Sequence, residues 1–295
     1  MKFMNFLYDD CEKNLLMIFK QTKPISGNPK TMENHVKYLY LTLIFSLLFG
    51  CSNAQVNPAY LAPFAQNAPL IDGIPNEDIW DSAEWRAMDK HMLGEMPTPE
   101  DFSGRYKLVW TAQKLYLLAE ITDDILHDAH PDPLLNYWDD DALEIFIDED
   151  KSGGDHLNNY NAFAYHIALD NQAVDKGPIS INQDGTETKN LRTYPDHIKS
   201  RWQRSGSAPY NIFWEVEITV YGDDYKDSYS ENESPAQPVE LTAGKVLGFM
   251  LAYCDSDNSS QREHFLGDVV IEPVNGDKNL GYINASVFGE LRLVK

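Results

Sequence analysis

The run Ala142–Asp148 places Leu143, Ile145 and Ile147 on one face and Glu144 and Phe146 on the other. A period of two predicts a strand with one face against a core. Ala162–Asp170 alternates in the same way, with Phe163, Tyr165, Ile167 and Leu169 opposite His166. Arg105–Thr111 and Leu115–Thr122 read as a hairpin joined at Ala112-Gln113-Lys114. Strand-like runs also cover His197–Arg204, Ile212–Tyr221, Val246–Tyr253 and Glu290–Val294. Pro69–Gly73 reads as a short strand into a turn, and Asn76–Ser82 as a helical turn or two capped by Asn76. Lys226–Pro238, rich in Ser, Glu and Pro, reads as a long surface loop. Many short strands with almost no helical periodicity predict an all-β chain, a single β-sandwich of jelly-roll or immunoglobulin-like type with short helical turns.

The N-terminal region follows another pattern. Tyr38–Phe49 is an apolar run preceded by Lys37 and followed by Gly50-Cys51-Ser52. It is too short to span a bilayer comfortably but has the length of a signal-peptide apolar segment. Leu48-Phe49-Gly50-Cys51 resembles the lipobox of bacterial lipoproteins, which predicts lipidation of Cys51; an ordinary cleaved signal peptide is the alternative. Met32 opens a segment that serves as an n-region, so residues 1–51 are expected to be a start extension plus lipoprotein signal. Residues 52–67, small, polar and proline-marked, are expected to tether a domain over residues 68–295. The expected location is the bacterial cell envelope, lipid-anchored at the outer membrane or periplasmic face, with secretion as the runner-up.

The chain has 295 residues, 43% hydrophobic and 12% aromatic, with a net charge of −22. Such a field repels nucleic acid and anionic lipid, so the lipid anchor is the only expected membrane contact. Of the three cysteines, Cys254 follows an apolar run and reads as a buried, inert thiol.

The segment Tyr137–Asp150 reads Y-W-D-D-D-A-L-E-I-F-I-D-E-D. A tryptophan beside fixed carboxylates can stack on a sugar ring while the acids take its hydroxyls or hold a metal. A strand flanked by acidic turns is the plainer reading. His127 and His130, near Asp128 and Asp132, lack strong ligand spacing and read as a solvated loop.

Several segments line up in order: Leu70-Ile71-Asp72-Gly73 with Trp80; Lys107-Leu108-Val109-Trp110 with Leu115-Tyr116-Leu117; Trp138, Asp141, Glu144 and Ile145–Asp148; Phe213–Ile218; and Val287–Leu291. This ordered set resembles family 9 carbohydrate-binding modules, known mainly as appendages of xylan-degrading enzymes. The resemblance covers roughly Ala68 to Lys295. It implies a β-sandwich with bound calcium, in which two aromatic rings clamp the terminal sugar of a glucan or xylan chain. Trp138 then matches the first ring, with Tyr282 as the second and Phe265 next in line. Glu144 matches a hydroxyl-binding carboxylate, with Asp141 beside it. His166 falls near a position for a basic contact. For calcium, Asp148, Asp150 and Asp155 offer alternating acids around a glycine turn.

No G-x-S-x-G, P-loop, H-E-x-x-H or dinucleotide fingerprint occurs. The expectation is non-catalytic binding of a polysaccharide or oligosaccharide near glycan-degradation or uptake machinery. The alternative is a glycoside hydrolase of endo-xylanase type, with Asp141 and Glu144 imagined as its acid/base pair.

Overall fold

The computed structural model describes residues 57–207, 210–257 and 261–295. The signal-like run and Cys51 lie outside the described residues. The strands are β1 (Tyr60–Pro63), β2 (Arg86–Ala87), β3 (Lys90–Gly94), β4 (Phe102–Trp110), β5 (Leu115–Asp123), β6 (Ala142–Asp148), β7 (Phe163–Ala168), β8 (Ala173–Ile181), β9 (Glu187–Thr193), β10 (Ile198–Arg204), β11 (Ile212–Ile218), β12 (Val246–Asp255), β13 (His264–Gly267) and β14 (Gly289–Val294).

They form two sheets. The nine-stranded sheet runs β1-β14-β12-β6-β7-β8-β9, with β13 pairing β12 and β3 pairing β13; the five-stranded sheet runs β10-β11-β5-β4-β2. All pairs are antiparallel except β1 with β14. The alternation read from the sequence fixes which face of each strand meets the core. Leu143, Ile145, Ile147, Phe163, Tyr165 and Ile167 point inward and pack with Leu108, Leu117, Ile121, Trp214 and Val216 of the smaller sheet. Their neighbours Glu144, Phe146 and His166 stand on the opposite, outer face, because successive side chains alternate across a strand. Phe146 joins Met250, Phe265 and Phe288 in a second apolar layer there. The hairpin turn after β4 closes through Thr111, whose N–H donates to the Lys114 carbonyl and whose Oγ1 accepts from the Gln113 and Lys114 N–H groups.

Three expectations are corrected. Tyr60–Pro63, assigned to the tether, is β1: Tyr60 and Ala62 are buried and Tyr60 pairs with Leu291. The domain therefore takes in residues before 68. Pro69–Gly73 forms no strand. Its backbone docks on Glu215 of β11, which accepts from the Asp72 N–H (3.1 Å), the Gly73 N–H (2.9 Å) and Trp80 Nε1 (3.2 Å). Gly73 sits at φ 82°, and a Cβ there would lie 2.8 Å from the Trp202 carbonyl carbon. The helical turn is a 3-10 turn over Asp78–Ser82, preceded by Glu77 with no side-chain cap, so Asn76 does not cap it. Strands β8 and β9 escaped the sequence pattern for a physical reason. Gly177 and Pro178 interrupt the first at a register shift, and the second is almost wholly polar.

His197 sits inside an aromatic cage. Its Nδ1 is 2.7 Å from the Tyr165 hydroxyl, and Tyr221 stacks on its ring at 4.3 Å. Burial pushes its pKa down to about 4. The unfolded chain, with an ordinary value of about 6.5, therefore takes up this proton first as pH falls. The stability tied to neutral His197 is complete above about pH 6.5 and is lost as pH falls toward 4. Between pH 7.5 and 5.5 the wild type is expected to lose about 1 kcal/mol more than His197→Gln, measured by urea unfolding at each pH. Equal losses in both proteins count against a buried neutral imidazole.

Candidate functional site

On the outer face of the nine-stranded sheet lies a cavity of about 250 Å³. Its floor comes from β6, β7 and β8 through Glu144, Ala164, His166, Asp175 and Lys176. Its walls are loops carrying Tyr137 and Trp138, His156 and Leu157, Arg262, and Asn279 and Tyr282. The volume falls below the range usual for drug-sized ligands, which suits a small molecule or one end of a longer one.

Register builds the floor. Glu144 pairs with His166 across β6 and β7, and with Ala252 across β6 and β12. Ala164, on β7, lines the cavity beside the two polar groups. Glu144 is buried, yet it accepts from His166 Nε2 (2.6 Å), Arg262 Nη1 (3.2 Å) and the Cys254 thiol (2.9 Å). Burial alone would raise its carboxyl; His166 and then Arg262 outweigh that and hold it below the ordinary carboxylate range. His166 Nδ1 is buried without a partner among the described residues. Asp175 accepts from the Ala164 N–H (2.9 Å) and Lys176 N–H (2.6 Å), and burial pushes its carboxyl up to about 6.

The aromatic wall starts at Asn136, whose φ of 51° turns the chain in a conformation that Asn tolerates better than most residues. Tyr137 is buried and packs edge-on against both Trp138 (4.9 Å) and His166 (4.7 Å). Trp138 is 39% exposed and lines the cavity. Tyr282 lines the cavity as well, with Lys176 Nζ 5.5 Å from its ring centroid. Gly281 lets the loop carrying Tyr282 lie close on the sheet, since a Cβ there would meet Met250 at 2.6 Å and Phe146 at 2.9 Å.

The three aspartates after Trp138 hold backbone. Asp139 Oδ1 takes the Arg262 N–H (3.4 Å), and Asp140 takes the N–H groups of Ala129 (2.8 Å) and His130 (3.1 Å). Asp141 takes those of His127 (2.6 Å) and Ser256 (2.9 Å). The loop of residues 124–141 is thus fastened to itself and to the segment bearing Arg262.

The structure brings Trp138, Glu144, His166 and Tyr282 to one cavity and keeps two expected residues out of it. Asp141 is fully buried, with both oxygens bonded to main-chain N–H groups, so it is corrected to a loop anchor. Phe265 is 1% exposed in the outer apolar layer, with the Arg262 guanidinium 4.3 Å over its ring, so it is corrected to a support. Tyr137, Asp175, Lys176, Arg262 and Asn279 were not foreseen. Arg262 supplies a guanidinium where the sequence pointed only to His166.

The expected calcium ligands do not form a set of three: the Asp148 and Asp150 carboxyls approach each other, and Asp155 is outside that pair. Asp148 accepts from the Gly153 N–H (2.8 Å), Asp150 from Ser152 (2.9 Å) and Asp155 from Leu157 (3.0 Å), each closing its own turn. Asp148, Asp150 and Asp155 are corrected accordingly. Carboxylates in ligand reach of one another occur elsewhere, at Asp123, Asp141 and Asp255. Glu144, His166 and Cys254 also approach one another, but Arg262 Nη1, 3.0 Å from Cys254 Sγ and 3.2 Å from Glu144, already supplies the positive charge. That trio does not fit a metal. His130 is bonded to Asp140 at 3.0 Å.

A β-sandwich with one small aromatic and polar cavity on its outer sheet face defines a small-ligand-binding domain. Residues 71–295 match the family model described as "Carbohydrate family 9 binding domain-like", and the chain belongs to that family. It is 23% identical over 205 residues to Exoglucanase XynX of Acetivibrio thermocellus, covering 70% of this chain and 15% of that protein. It is 23% identical over 214 residues to Endo-1,4-beta-xylanase A of Thermoanaerobacterium saccharolyticum, covering 72% and 16% respectively. The match thus spans about one sixth of these relatives. A family 9 module from Caldicellulosiruptor kristjanssonii, solved with cellotriose, superposes with a TM-score of 0.55 at 20% identity, covering 80% of this chain and 94% of that one. Its glucose complex gives 0.54 at 20% identity, covering 79% and 95%. Non-catalytic carbohydrate binding is the function class of this family.

Proposed function

We propose that the chain holds the terminal sugar of a glucan- or xylan-type glycan, or a free small sugar, in the cavity between Trp138 and Tyr282. One observation carries this reading: an exposed indole and a second aromatic ring line the same small cavity as Glu144, His166 and Arg262. Sugar C–H faces are apolar and pack on aromatic π-faces, contributing on the order of 1 kcal/mol per ring. Hydrogen bonds from hydroxyls to a charged group add roughly 1.5–3 kcal/mol each. After the cost of ordering, sums of this size suit micromolar dissociation constants.

A hydrolase needs a second carboxyl across the scissile bond. Asp141 is buried outside the cavity, Glu144 is tied to Arg262, His166 and Cys254, and Asp175, the second carboxyl in the cavity, lies on the same floor as Glu144 with both oxygens taken by the Ala164 and Lys176 N–H groups. These placements favour binding over turnover. Titration calorimetry with glucose, cellotriose and xylotriose is expected to give micromolar binding of at least one, with no release of reducing ends on prolonged incubation. Heat-silent titrations with all three, or steady hydrolysis, would overturn the reading. Lipid attachment at Cys51 in the bacterial cell envelope, beside glycan-degrading or uptake machinery, completes the proposal and rests on the sequence around that cysteine.

A further inference from the structure

Lys176 and Arg262 both line the cavity, and only one of them has an acid of its own. Arg262 is paired with Glu144 at 3.2 Å. Lys176 brings its Nζ to 5.5 Å from the Tyr282 ring centroid, and no ion pair reaches it among the described residues. Its neighbour Asp175 has both oxygens on the Ala164 and Lys176 N–H groups. The local register explains this. The β7–β8 ladder stops at Val174, and the Asp175 carboxylate takes the Ala164 N–H in place of a strand carbonyl. Beyond Val174 the floor is therefore made by side chains, and Lys176 is one of them.

A partly buried cation without a counter-charge is costly. Burial first, and the Lys189 ammonium of β9 next, hold the Lys176 pKa below the ordinary lysine range. A carboxylate on the ligand removes that conflict, and a charge-assisted hydrogen bond is stronger than one to a neutral hydroxyl. A uronic acid meets both demands of the cavity. Its ring keeps an apolar C–H face for the aromatic walls, and it carries a carboxylate where a neutral hexose carries a hydroxymethyl group. The chain's net charge of −22 opposes an anion mainly from a distance. Exposed charges farther away than about 8–10 Å are largely screened at physiological ionic strength, so the cations in the cavity prevail.

We propose that the cavity selects an acidic sugar, a uronic acid at a glycan end or free, whose carboxylate pairs with the Lys176 ammonium; this rests on the sugar reading above and names the ligand class within it. Lys176 is then the residue that sets specificity. Trp138 and Tyr282 accept many sugar rings, and Glu144 is held by Arg262 and His166 whatever the ligand. Lys176 alone among these groups discriminates by charge.

Titration calorimetry on the full chain at neutral pH tests this with two matched pairs, glucuronic acid against glucose and galacturonic acid against galactose. At least one acid is expected to bind roughly tenfold or more tightly than its neutral counterpart. The methyl ester of that acid, with the same ring and no charge, is expected to bind like the neutral sugar. Lys176→Met is expected to bring the acid-to-neutral ratio to within about threefold of one. The ester comparison uses wild type alone and stands if Lys176→Met does not fold. Neutral sugars that bind as tightly as both acids overturn the proposal, as does an ester as tight as its free acid or a ratio that survives in Lys176→Met. Each of these results leaves the sugar reading intact, because a sugar still binds. Silence with every sugar, acidic and neutral, overturns the sugar reading and this proposal with it.

Discussion

Glu144→Ala is expected to destabilise the domain by about 3–5 kcal/mol and to abolish sugar binding, because it removes the carboxylate that forms an ion pair with a buried guanidinium. Arg262 is 9% exposed at its side chain, and Glu144 is the acid it reaches in an ion pair. Deleting the carboxylate also strips His166 Nε2 and the Cys254 thiol of their acceptor. A domain of this kind has about 5–15 kcal/mol of stability in all, so the variant will be marginal. Glu144→Gln keeps an acceptor of the same shape and is expected to lose clearly less. Chemical denaturation of the three proteins decides the matter. An alanine variant within 1 kcal/mol of wild type would mean that Arg262 finds another partner and that the node is not what organises the floor.

Trp138→Ala is expected to act in the opposite way, on binding rather than on folding. The indole is 39% exposed and rests edge-on against Tyr137, so its removal opens no deep cavity. Loss of a ring that supports the ligand is expected to weaken affinity by about 2 kcal/mol, roughly 30-fold, with melting within a degree or two of wild type. Trp138→Phe should recover part of the loss, since it restores a smaller aromatic face. Calorimetry with the sugar that binds best is the measurement. Unchanged affinity would show that the ligand does not stack on the indole.

The contrast between these variants also explains what was legible in the chain. Strand alternation placed Glu144 and His166 opposite the core-facing residues of their own strands, and both stand on the outer face. Alternation carries no register, so the pairing of Glu144 with His166, and of Glu144 with a guanidinium 118 residues beyond it, could not be read. Arg262 lies in a short polar segment with no pattern of its own. Asp139, Asp140 and Asp141 misled for a related reason. An acid at a loop end can face solvent, metal, ligand or backbone N–H with the same local sequence, and here the backbone takes all three. Phe265 stood next after Tyr282 as the expected second ring. Its strand position turns it into the apolar layer beneath Arg262. Tyr60–Pro63 looked like linker because four residues are too few to show a period.

Cys254 has a use of its own. Its sulfur lies fully buried directly under the Glu144–Arg262 pair, and burial drives the thiol well above its ordinary pKa. A thiol reagent reaches it only when the floor of the cavity lifts. The rate of labelling at this position is therefore a clock for local opening.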